Sequence, residues 1–200
     1  MPEPIIDFML PGRWWRLPLS SPTELRRAAR ALAIETVGRA DDLTRLRAEL
    51  VSGLSTSAET ARRAGASDFY VGRELAPGVP LPMSLAVYWP DVPDLPSRHA
   101  GSRAAAEGLA TALAHADSGA VDVVEHADFG VVRSIRTAEL LDDQGGAATR
   151  LDVSYWVTTS HSDRTLLLAF STALLEHREA VVEVGDAIVG TLDWQAEGPA

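Results

Sequence analysis

Hydrophobic positions along the chain follow two periods. From Ser21 to Gly65 apolar residues recur at helical spacing, and from Phe69 stretches of strict alternation begin. In the first helical run Leu25, Ala28, Ala29, Leu32 and Thr36 share a face. Ser21 is placed to cap it, Pro22 suits its first turn, Glu24 lies near the positive end of its dipole, and Gly38 ends it. Asp41 or Asp42 is the expected cap of a second helix bearing Leu43, Leu46, Leu50, Leu54, Ala58, Ala61 and Ala64 on one face, with Gly65 as its stop. The short link between the runs predicts an antiparallel helix pair.

Beyond Gly65 the period falls to two. Phe69, Val71 and Leu75 alternate with polar or small neighbours, as do Met83, Leu85, Val87 and Trp89. These read as two strands joined through Pro77-Gly78-Val79-Pro80. A proline-bearing loop, 90–97, precedes an alanine-rich helix from about Arg98 to Asp117 with Leu109 and Leu113 on its apolar side. Four strands follow over Val121–Ala127, Phe129–Leu140, Ala148–Thr159 and Arg164–Thr172, then a helix from Leu175 to about Leu192. In the third of these strands Leu151, Val153, Tyr155 and Val157 face one way and Arg150, Asp152, Ser154 and Trp156 the other.

Successive strands joined by hairpins, with helices outside them, predict an α+β fold with a mostly antiparallel sheet of about six strands. A doubly wound parallel sheet is disfavoured, because four strands in a row leave no crossover helices. One domain is expected over 1–200: an extended arm (1–22), a helix pair (23–65), an α+β core (66–194) and a tail (195–200). Five prolines among the first 22 residues keep the arm extended, and Trp14 and Trp15 favour strapping it across the domain over leaving it free as a partner tag.

Composition narrows the function classes. The 200 residues carry 18 basic side chains, all Arg, against 28 acidic ones, for a net charge of −10. Residues 1–63 hold 10 Arg and 8 acids, so the acidity belongs to the rest. That charge disfavours nucleic acid and anionic membranes as partners. Zero Cys removes disulfides, thiolate metal sites and cysteine catalysis. Met1 to Leu10 holds Glu3 and Asp7 but no basic start, unlike a signal peptide, and a cytoplasmic address is expected.

No catalytic signature stands out. Without Lys a Walker-type phosphate loop is impossible, and Gly145-Gly146 reads as a hairpin tip. His99, His115, His126, His161 and His177 form no short pair, so no metal or other cofactor is expected. The run Ser160-His161-Ser162-Asp163 holds the residue types of a hydrolytic triad, but neighbours within one turn rarely converge on one atom, and it reads as a hairpin loop. Asp41-Asp42 and Asp142-Asp143 read as turn and cap carboxylates. The candidate binding surface is the second sheet face, with Trp156, Arg150 and Asp152 joined by Tyr88, where an aromatic stands beside charge. The competing reading buries Trp156 under the arm or the helix pair.

The stretch YWVTTSHSDRTLLLAFSTALLEHREAVVEVGDAIVGTLDW has the strand–hairpin–strand–helix order in which Mog1/PsbP-like α+β domains close, and residues 148–194 resemble them. RWWRLPL followed by an Arg/Ala/Leu helix pair resembles the start of actinobacterial proteins of similar length. The resemblance implies a binding, assembly or accessory role and no active-site residue. The expected function is therefore non-catalytic binding of a protein partner or small ligand, with self-association open. A small enzyme or ligand-binding module with a pocket between sheet and helix is one alternative. An adaptor in a bacterial secretion-type assembly is another.

Overall fold

The computed structural model describes residues 5–92, 101–116, 119–141, 147–160, 162 and 164–195. The expected hairpin tip at Gly145-Gly146, the carboxylates Asp142 and Asp143, and His99, His161 and Asp163 lie outside them, as does most of the 90–97 loop.

The architecture is α+β. Strands β1 (Ile5–Asp7) and β2 (Arg13–Leu17) precede helices α1 (Pro22–Val37) and α2 (Thr44–Arg63). Strands β3 (Ala66–Ala76), β4 (Val79–Pro80) and β5 (Met83–Tyr88) lead to helix α3 (Gly101–Ala116). Strands β6 (Ala120–Val124), β7 (Gly130–Leu141), β8 (Ala147–Thr158) and β9 (Leu166–Thr172) then precede helix α4 (Arg178–Val189) and strand β10 (Asp193–Gln195).

The main sheet is larger than the six strands expected. Among the described residues it has eight, in the order β2-β3-β5-β9-β8-β7-β6 with β4 paired to β3, and β1 and β10 make a separate two-stranded sheet. Every pairing is antiparallel. Of the two additional strands, β2 comes from the arm and β4 from the expected turn at Pro77-Gly78-Val79-Pro80. The arm's prolines break it into short extended pieces, and one piece, Arg13–Leu17, pairs along the open edge of β3. A bare strand edge is a liability, and β2 covers it. Gln195, expected in the tail, instead pairs with Ile5.

Local chemistry explains the helix boundaries. The Glu24 N–H donates to Ser21 Oγ (3.4 Å), and the Gly38 N–H donates to the Ile34 carbonyl (2.9 Å). Asp41 and Asp42 do not cap α2. They belong to a 3-10 turn, Asp41–Leu43, that feeds the helix, and neither the turn nor α2 has a side-chain cap bond. The last helix is likewise shorter than its apolar pattern: a 3-10 turn at Leu175–His177 precedes it, and it ends at Val189. Among the described residues no helix is long and apolar enough to cross a membrane.

The sheet buries its first face under α4. Leu85, Leu151, Val153, Tyr155, Val157, Leu168 and Phe170 cluster there with Val181, Ile188 and Val189. Each fully buried side chain of this size contributes about 2 kcal/mol of transfer free energy. Trp14 packs on this core from one face of β2, whereas Trp15 turns to the other and packs with the helix pair.

Candidate functional site

The second face is covered in two separate places. α1 and α2 lie over β2 and β3, where Leu17, Leu25, Ala58, Ala61, Phe69 and Ala86 form a small core. α3 lies over β6, β7 and β8 through Ala106, Leu109 and Val132. Strands β5 and β9 run between the two helix layers.

Pairing register defines the floor between them. Ser84, Ser171 and Asp152 stand side by side across β5, β9 and β8. Ala86, Ala169 and Ser154 form the next row, and Tyr88, Leu167 and Trp156 the one after. Asp152 and Trp156 are four residues apart on one strand, about 13 Å, and β5 and β8 are two strand spacings apart, about 10 Å. The result is a trough with a charged end, a floor of small side chains in which Ala86 is itself buried against the helix pair, and an aromatic end.

Asp152 is buried at the charged end, its side chain 8% exposed. Ser171 Oγ donates to its Oδ1 (2.6 Å), Arg150 Nη2 donates to its Oδ2 (2.9 Å), and Arg136 Nε lies 3.8 Å from Oδ2. Its charge is thus compensated on both oxygens. A carboxylate tied in this way holds the strands in register.

At the other end Tyr88 and Trp156 flank Leu167, and all three are half-buried. Burial pushes the Tyr88 hydroxyl pKa up, so it is a neutral donor at ordinary pH. Trp156 is neither free surface nor buried beneath the arm or helix pair. It packs against Ala106, Leu109 and Val132, so α3 is what covers one side of it. Of the four expected site residues, the structure therefore brings Arg150 and Asp152 into direct contact. It sets Tyr88 and Trp156 across one leucine from each other, two rows away.

A second polar cluster, on the first face, was not anticipated. Arg133 donates to Asp122 Oδ2 (2.6 Å) and to Asp186 Oδ2 (2.6 Å), and the Tyr155 hydroxyl donates to Asp186 Oδ1 (2.7 Å). Hydrogen bonding to Asp122 and Asp186 holds Arg133 charged. Burial first, then Asp186 beside it, keeps Tyr155 protonated. The cluster clasps α4 to β7 and β8. Its only sequence signal is the polar Arg133 and Asp186 within otherwise apolar stretches.

The remaining candidates serve local structure. Ser162 Oγ accepts from the Arg164 N–H (3.1 Å), in keeping with a hairpin loop. His126 Nδ1 accepts from the Asp128 N–H (3.2 Å), and His115 Nδ1 lies 2.6 Å from the Thr111 carbonyl. Among the described residues no three His, Asp or Glu side chains are grouped to hold a metal ion.

No protein-family model matches the chain, and neither does any curated protein. One solved structure with a similar fold is LpqN, a protein involved in cell envelope biogenesis of Mycobacterium tuberculosis. It is 11% identical over 96% of this chain and 84% of its own, with a TM-score of 0.40. A likeness at that level carries nothing about what this chain binds.

Proposed function

We propose that the protein is a non-catalytic binding module whose ligand, a small molecule or a short segment of a protein partner, lies in the trough between the two helix layers. The observation that carries this reading is the Tyr88–Leu167–Trp156 row, left half-exposed across three strands beside a floor of serine and alanine. Aromatic side chains with a polar tip suit a contact that is apolar on one side and wet on the other. The compensated Asp152 supports binding over acid–base chemistry.

Ala169 sits mid-floor, and Ala169→Trp would fill the trough while leaving the residues of both ends in place. The chain, incubated with a metabolite extract or with a cell lysate, is recovered by gel filtration and its retained mass read by mass spectrometry. The wild type is expected to keep a partner that Ala169→Trp loses. Retention that survives the substitution, or no retention from either source, contradicts the reading.

The strand–hairpin–strand–helix order of β8, β9 and α4 supports a further part of this proposal, that residues 148–194 are of the Mog1/PsbP-like kind. An experimental structure in which α4 leaves the β8–β9 face would overturn it.

A further inference from the structure

A different cavity lies on the helix pair. A groove of about 570 Å³ opens between α1 and α2, away from the trough, within the size range of small-molecule sites. Ala33, Ile34, Ala48 and Val51 supply its apolar wall, and Arg26 and Arg30, with the hydrogen-bonded Arg47, its charge. Among the described residues no acidic side chain lines it.

Three features bear on these two arginines. Neither has an ion pair or hydrogen bond among the described residues, a state they share with Arg27, Arg39 and Arg178 outside the groove, whereas ten other arginines of the chain are in ion pairs. They stand four apart on one helix, a like-charge spacing that works against helix formation. And α1 holds no basic residue in its last turn, where the dipole would favour one. The helix thus concentrates positive charge beside the groove at a cost to its own stability, as expected of a functional position. Ser55 Oγ, on the opposite wall, is shielded from solvent and has no hydrogen-bond partner among the described residues. The groove is also held in shape: Arg47 donates to the carbonyls of Gly38 and Ala40 (both 2.8 Å) and to Thr44 Oγ1 (2.9 Å), fixing the link between the helices.

The geometry points to a binding site for an organic anion with an apolar body: a carboxylate, sulfonate or phosphate monoester whose head meets Arg26 and Arg30 and whose body lies along Ile34 and Val51. Two guanidinium groups recognise the oxyanion by charge-assisted hydrogen bonds, and the apolar wall excludes fully hydrated ions. The site is independent of the trough.

The probe is 1-anilinonaphthalene-8-sulfonate, whose fluorescence rises when it leaves water, titrated into the full chain. Wild type is expected to bind it with a Kd below about 100 μM. Arg26→Gln with Arg30→Gln should weaken binding at least tenfold, whereas Arg27→Gln, outside the groove lining, should change it less than twofold. Ala48→Trp, which fills the apolar wall and keeps both charges, should also weaken binding. Decanoate should displace the probe and inorganic phosphate at equal concentration should not. The inference is overturned if the wild type does not bind the probe, if the arginine pair and Arg27→Gln behave alike, or if inorganic phosphate competes as well as decanoate.

Discussion

Gly185 faces the Tyr155 ring closely enough that an added Cβ would lie 2.6 Å from the hydroxyl oxygen. Two effects compete in Gly185→Ala. Helix propensity favours alanine by about 1 kcal/mol, and overpacking a filled core costs about 1–3 kcal/mol. The close approach to a buried ring makes the second win, and urea denaturation should show a loss of about 1–2 kcal/mol; a stabilised variant would contradict this packing. Asp152→Ala should cost about 2 kcal/mol by the same assay, because it strands the Arg150 guanidinium and the Ser171 hydroxyl. Glu59 gives a pH signature. Hydrogen bonding from Arg62 is the largest influence on it and lowers its pKa from 4.5 to about 2. A depressed folded-state pKa means its contribution is present above about pH 4.5 and is lost as pH falls towards 2. Glu59→Gln should flatten the fall of stability across that window in acid titrations followed by circular dichroism. The alternation in β8 was readable at this scale, since period two assigns each side chain to a face. The clasp of Tyr155 with Asp186 was not, because its partners lie 31 positions apart and no local pattern records the contact.

Among the elements, the internal strands and the helix pair follow their periods to within a few residues, because one buried face imposes the period directly. The edges were harder to read. Nothing in the apolar pattern of the arm specifies that Arg13–Leu17 pairs with β3, since pairing is a backbone event between segments far apart in sequence. The cover on Trp156 is a similar case: helical spacing identified α3 but not its seat. That seat depends on Gly130, where a Cβ would lie 1.9 Å from the Ser102 carbonyl oxygen and 2.6 Å from Thr158 Oγ1. Backbone cannot yield as a flexible side chain can, so Gly130→Ala should lift the start of α3 and destabilise the protein by about 2 kcal/mol or more. Hydrogen exchange should report faster opening in α3 than in α1. Equal protection in both helices, with stability unchanged, would contradict this seating of α3 on β7.

At the scale of the whole molecule, a continuous sheet is buried on one face by α4 and covered on the other by two helix layers, one over β2 and β3 and one over β6, β7 and β8. The candidate residues Arg150, Asp152, Tyr88 and Trp156 were legible as one face of a sheet. Their division into a charged end and an aromatic end depends on strand order, which places β9 between β5 and β8 and brings Leu167 between the two aromatics. Charge divides the molecule differently: the arm and helices up to residue 63 are slightly basic and the remainder strongly acidic. Because the chain has no cysteine, one introduced thiol reports on one position. The openness of the trough is tested most directly by the rate at which a small methanethiosulfonate reagent labels Ala169→Cys in the folded protein, compared with Val153→Cys on the buried face. Ala169→Cys should react readily and Val153→Cys only on unfolding; equal protection of the two would mean the second face is closed and the trough is not a binding site.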